Sequence, residues 1–150
     1  DIIFYAVISA ILGSKIYFVI ETQSFGFNTG EFEDGLSLNY EDRRKLSNEG
    51  VIRQTDEIKY FYFFGLRSPF DIGGQILTND RYILYYVDDD GVDIYEQFYT
   101  DMIEIESQFK GNSLNDSEYI IKDINGYEFP IYIPVTNEIE IVAYIDGEIN

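Results

Sequence analysis

The chain has no cysteine, no histidine, a single methionine (Met102), three prolines, and only ten lysines and arginines against 28 acids. Without cysteine there are no disulfides, iron–sulfur clusters or thiol nucleophiles. Without histidine, imidazole bases, Ser-His arrangements and zinc sites of the usual kind are excluded as well. The shortage of positive charge leaves a net charge of −18, and residues 51–150 alone hold 20 acids and six bases. Such a surface repels phosphate backbones and anionic headgroups, so nucleic acid is not an expected partner. Basic proteins or cations are. The same acidity also aids solubility with no partner involved.

What is present begins with an apolar run over residues 2–20, interrupted by one charge, Lys15. As a helix it would span roughly 28 Å, close to the hydrocarbon thickness of a bilayer. Its aliphatic and phenylalanine side chains favour insertion by roughly 5 kcal/mol, against about 3 kcal/mol for a central lysine. Lys15 is off-centre and can snorkel, so insertion wins. A single-pass transmembrane helix over 1–20 is the expectation; a buried helix of a soluble protein and a targeting segment are the rivals. Ala6, Ala10 and Ser14 recur every four positions, with Ser9 and Gly13 beside them, a spacing that lets membrane helices pack closely. With Met102 the only methionine, the sequence reads as processed or excerpted.

Residues 21–55 read as a connecting arm followed by a short helix. Asn39 is placed to cap it, Glu41 and Asp42 suit its positive first turn, and Gly50 suits a left-handed C-terminal cap. Leu46 and Val51 would face the core. Arg43, Arg44 and Lys45 either touch anionic lipid or balance nearby acids, and weakly favour the cytoplasmic side for the rest of the chain.

From residue 56 to 150 the pattern is a β domain. Strands are expected over 58–66, 75–78, 81–87, 92–99 and 102–109, with 67–74 as a loop and Asp88-Asp89-Asp90-Gly91 as a tight turn. Ile103 and Ile105 alternate with Glu104 and Glu106, the mark of a half-buried strand. Residues 118–124 and 127–133 flank Asn125-Gly126, the best hairpin signal in the chain. Pro130 places the second arm at a sheet edge. Thr136 could cap a final helix burying Ile139, Val142, Ala143 and Ile149; a strand over 138–145 is the alternative.

The stretch from Asp56 to Tyr86, with the acidic turn, Tyr95 and the strand beginning at Asp101, resembles bacterial pleckstrin-homology-like (PH-like) domains. The most specific part is Leu77-Thr78-x-x-Arg81, where Thr and Arg mark a bend between half-strands. The resemblance implies a mainly β fold: a partly open antiparallel barrel of about seven strands capped by a C-terminal helix, here preceded by the transmembrane helix. It implies a non-enzymatic module that binds protein, here as a membrane-anchored subunit of a membrane assembly. Eukaryotic relatives hold phosphoinositides with clustered Lys and Arg in the first loop. Residues 67–74 offer only Arg67 opposed by Asp71, so no phosphoinositide headgroup is expected.

No catalytic, metal or cofactor site is expected. Asp88, Asp89, Asp90 and Asp93 lack calcium-loop spacing, Glu104 and Glu106 belong on a wet face, and Arg81 and Thr78 should fix the bend by hydrogen bonds. Fourteen tyrosines and twelve phenylalanines exceed what one small core uses. Tyr62, Tyr82, Tyr86, Tyr95 and Tyr99 are therefore candidates for an aromatic partner-binding surface ringed by acids. An acidic immunity-type protein that neutralises a basic partner is the alternative function.

Overall fold

A computed structural model describes the backbone of residues 5–12 and 15–22 and all of residues 30–149. In place of the helix expected over 1–20 it has two antiparallel strands, β1 (Tyr5–Leu12) and β2 (Lys15–Thr22), with Tyr5 opposite Thr22 and Leu12 opposite Lys15. The physical reason lies in composition: Ile, Val, Phe and Tyr favour strands as readily as they favour lipid. Ala6, Ser9 and Ala10 sit in β1 opposite Glu21, Phe18 and Tyr17 rather than on a helical stripe. Gly13 and Ser14 lie outside the described residues. Among the described residues no helix is long and apolar enough to cross a membrane.

The chain divides into two compact units: Phe32–Thr100, and Asp1–Glu31 together with Asp101–Asn150. In the first, β3 (Glu33–Asp34), β4 (Ile58–Phe63), β5 (Gly73–Thr78), β6 (Arg81–Asp88) and β7 (Gly91–Phe98) form one antiparallel sheet in sequential order. Helix α1 (Tyr40–Asn48) follows β3. Its start is set as the sequence predicts: the Asn39 side chain accepts from the Asp42 amide at 2.8 Å. Its end is set by Gly50 at φ 80°. Leu46, Val51 and Ile52 then pack with Ile58, Phe61, Ile76, Ile83 and Tyr85 in one buried cluster. Each such side chain contributes about 1.5–3 kcal/mol through burial.

Every residue of β5, and of β6 from Arg81 to Tyr86, is buried. β4 ends at Phe63 and β5 begins at Gly73, so the loop occupies 64–72, starting and ending earlier than the expected 67–74. Gly73 has φ 152°, and a Cβ there would lie 2.2 Å from the Tyr85 carbonyl oxygen. Only glycine lets β5 start this close to β6.

In the second unit, β8 (Met102–Phe109), β9 (Ser117–Asp123) and β10 (Glu128–Ile133) form a sheet in the order β10-β9-β8, followed by α2 (Glu138–Ile149). Pro130 lies on the edge strand β10, as expected. The Asn125-Gly126 hairpin forms, with Gly126 at φ 85°. Its loop is wider than two residues because the Asp123 carboxylate accepts from the amides of Asn125 and Tyr127. A register shift between Met102 and Glu104 leaves Ile103 exposed instead of in the core.

The C-terminal helix is present, but its buried face differs from the expected one. Glu138, Ile141 and Ile145 are buried, Val142 and Ile149 are half-buried, and Ala143 and Ile139 are exposed, Ile139 by 87 %. The cause is at the first residue, where the Glu138 carboxylate is bonded to β9. Thr136 does not cap α2; it lies in a 3-10 turn (Val135–Asn137) and its hydroxyl donates to Glu31 at 3.3 Å. Among the described residues the fold is mainly β: antiparallel sheets of two, three and five strands, none closed on itself, and a C-terminal helix.

Candidate functional site

The Leu77-Thr78-Asn79-Asp80-Arg81 segment is the bend between β5 and β6, and its side chains fix that bend as expected. The Thr78 hydroxyl accepts from the amides of Asp80 (3.2 Å) and Arg81 (3.1 Å). Arg81 is 1 % exposed and its guanidinium meets three carboxylates. Two parallel bonds run to Asp56, Nη1 to Oδ1 at 2.9 Å and Nη2 to Oδ2 at 2.8 Å. Nη1 also donates to Asp80 at 2.9 Å, Nε donates to Glu96 at 2.5 Å, and the Phe98 ring lies 5.9 Å away.

Hydrogen bonding from Arg81 holds the Asp56 carboxyl below its ordinary range against the opposing effect of burial, and Asp56 raises the Arg81 guanidinium in turn. A buried cation wrapped in this way is committed to structure. It joins β4's approach, the bend and β7, and leaves no fork for an incoming phosphate.

A second buried carboxylate opens α2. Glu138 accepts from Ser117 Oγ at 2.8 Å, Tyr119 OH at 2.5 Å and Lys110 Nζ at 2.8 Å. Burial raises its pKa, but the three donors together outweigh that and hold it below the ordinary value. Burial, then the bond to Glu138, pushes the Tyr119 hydroxyl up to about 12. The first turn of α2 is favourable ground for a carboxylate. Every donor here ties the helix to the 110–119 segment.

The tyrosines do not make the exposed face expected of them. Tyr62, Tyr82, Tyr86 and Tyr99 are buried, and Tyr95 is half-buried. Tyr82 donates to Gln75 at 2.9 Å and Tyr99 donates to the Thr78 carbonyl at 2.7 Å. These two hydroxyls find partners inside, which is how a small core absorbs such tyrosines. Beside Tyr82, Gln97 is 3 % exposed, and neither its Nε2 nor its Oε1 has a hydrogen-bond partner among the described residues.

A surface concavity among the described residues lies elsewhere. A groove of about 410 Å³ opens at the end of α1, the Phe70 turn and the β6–β7 hairpin. Phe70, Val87 and Val92 line it with apolar surface and pack against the buried cluster below. Glu49, Asp88 and Asp89 line it with negative charge, against Lys45 alone. Its walls are pinned: Tyr85 OH donates to the Pro69 carbonyl (2.8 Å), the Val87 amide to the Ile72 carbonyl (2.8 Å), and the Asp90 amide to Asp88 (2.8 Å). The sequence pointed to Arg43-Arg44-Lys45 and to the acidic turn separately. Nothing local marked Phe70 as their neighbour, because the fold alone brings residues 45, 70 and 89 together.

No protein-family model matches the chain, and no curated protein matches it. Among solved structures, the chain is similar to one described as a DUF1696 family protein with a pleckstrin-homology domain, from Shewanella loihica PV-4. The TM-score is 0.55 at 14 % sequence identity, covering 81 % of this chain and 99 % of that one. The likeness supports a PH-like fold.

Proposed function

We propose that the protein is a non-enzymatic interaction module that binds another protein. The observation that carries this is the PH-like fold, an architecture that serves as a scaffold for surface recognition. The buried charged groups support it, since Arg81 and Glu138 are both committed to holding elements together. Membrane attachment through the apolar run at 2–20 forms part of the proposal and rests on hydropathy, and a cytoplasmic β domain rests on Arg43, Arg44 and Lys45 beyond that run. Crosslinking in intact cells followed by carbonate washing of membranes tests both parts. A reproducible crosslinked protein and retention in the pellet are expected. Absence of any crosslinked protein removes the module, and release by the wash removes the anchor.

The net charge of −18 favours a second reading, an inhibitor of a basic protein. It predicts one cationic partner whose affinity collapses as salt rises.

A further inference from the structure

We propose that the groove formed by α1, the Phe70 turn and the β6–β7 hairpin docks a short extended segment of a basic protein. One aromatic or aliphatic side chain would sit on Phe70, Val87 and Val92, and adjoining Lys or Arg side chains would lie against Asp88, Asp89 and Glu49. This rests on the interaction-module reading and assigns it a surface and a partner chemistry.

Three features select that occupant. The first is charge: three of the four ionisable side chains lining the groove are carboxylates, within a chain of net charge −18. The second is the direction of α1. Lys45, Asn48 and Glu49 belong to its closing turn, so the groove meets the negative end of the helix dipole, which favours a cation and disfavours an anion. The third is the apolar floor. Phe70, Val87 and Val92 are half-buried side chains continuous with the core, and they offer an anchor that a wholly ionic site would lack.

The size agrees as well. About 410 Å³ lies toward the small end of ligand sites, enough for a side chain or two and too small for a folded domain. The pinned walls mean that little ordering is required on binding. Lys45 provides the one complementary charge through which an acidic residue of the segment can set its direction.

The test is a titration of the ¹⁵N-labelled full chain with the capped peptide Lys-Lys-Phe-Lys-Lys, followed by amide shifts. Saturable shifts confined to residues 45–50, 68–72 and 87–92 are expected. Replacing the peptide's Phe by Ala, or its lysines by Glu, should weaken binding by roughly fivefold or more. In the protein, Asp88→Asn combined with Asp89→Asn keeps the turn's acceptor oxygens and should weaken binding about tenfold, while Lys45→Gln strengthens it. Shifts elsewhere, non-saturating shifts, or indifference to the peptide's Phe or to the double variant overturn the proposal. If a cellular partner crosslinks equally to the double variant, the module stands and this groove fails. If the peptide binds here but no partner is ever crosslinked, the groove stands and the module fails.

Discussion

Replacing Arg81 with methionine tests whether the buried guanidinium organises the bend. The substitution keeps most of the aliphatic volume and removes the charge. It strands Asp56, whose side chain is 4 % exposed, with only the Arg53 amide at 2.8 Å, and it leaves Asp80 and Glu96 without their shared cation. Breaking a buried pair by removing one partner costs about 3–5 kcal/mol. Against a total stability of about 5–15 kcal/mol this is a large fraction.

The partners are unequal. Asp56→Asn leaves Arg81 two other carboxylates, so its cost should be nearer 1.5–3 kcal/mol, roughly that of charged hydrogen bonds. The pair Arg81→Met with Asp56→Leu should recover much of the single Arg81 loss, because no buried charge is then left at the Asp56 position. Urea denaturation followed by circular dichroism measures all three variants. With a slope of about 1–3 kcal/mol per molar urea, Arg81→Met should lower the midpoint by roughly 2 M. A loss below about 1 kcal/mol, or an Asp56→Asn penalty larger than that of Arg81→Met, refutes the reasoning.

Acid should destabilise the fold through the same groups. Asp56 and Glu138 both have folded pKa values below their ordinary ones. Their contribution is complete only above their ordinary values, at about pH 5 and higher, and disappears as pH falls through the folded values. Glu118, raised by burial, acts in the opposite sense, so Glu118→Gln should steepen the acid limb of a pH–stability curve. Gln97→Leu should stabilise the protein by about 1–2 kcal/mol in the same urea assay, because it removes a buried amide with no partner among the described residues; a loss of stability would falsify that account. Gly73→Ala should cost about 2 kcal/mol or more, measured as a lowered Tm, since its methyl would meet the Tyr85 carbonyl oxygen. An unchanged Tm would show that β5 can shift away from β6.

Features decided by neighbours in sequence were readable in advance. Asn39, the first-turn acids and Gly50 set α1 by local bonds, and Asn125-Gly126 and Gly91 set their turns by backbone freedom. The five-residue motif from Leu77 to Arg81 places Thr78 at the bend, because its hydrogen bonds are local. Where the structure differs from these expectations, contacts distant in sequence decide it. The tyrosines of β6 are absorbed because β5 and β7 flank that strand and both of its faces are covered, which a count of tyrosines does not show. Apolar residues alone do not mark the buried face of α2, because Glu138 is held inside by Ser117, some twenty positions earlier. Asp56 and Glu96 carried no local sign of meeting at Arg81. Nor did the groove: Phe70 comes beside Lys45 and Asp89 only after the sheet has formed.

One unit is a single uninterrupted stretch, while the other is assembled from both ends of the chain. The bond from Thr136 to Glu31 closes across 105 positions. During synthesis the uninterrupted stretch can gain its pairings early, since each of its strands adjoins its predecessor in sequence. A polypeptide halted after Thr100 would hold the uninterrupted unit entire, with the other lacking its strands β8 to β10 and helix α2.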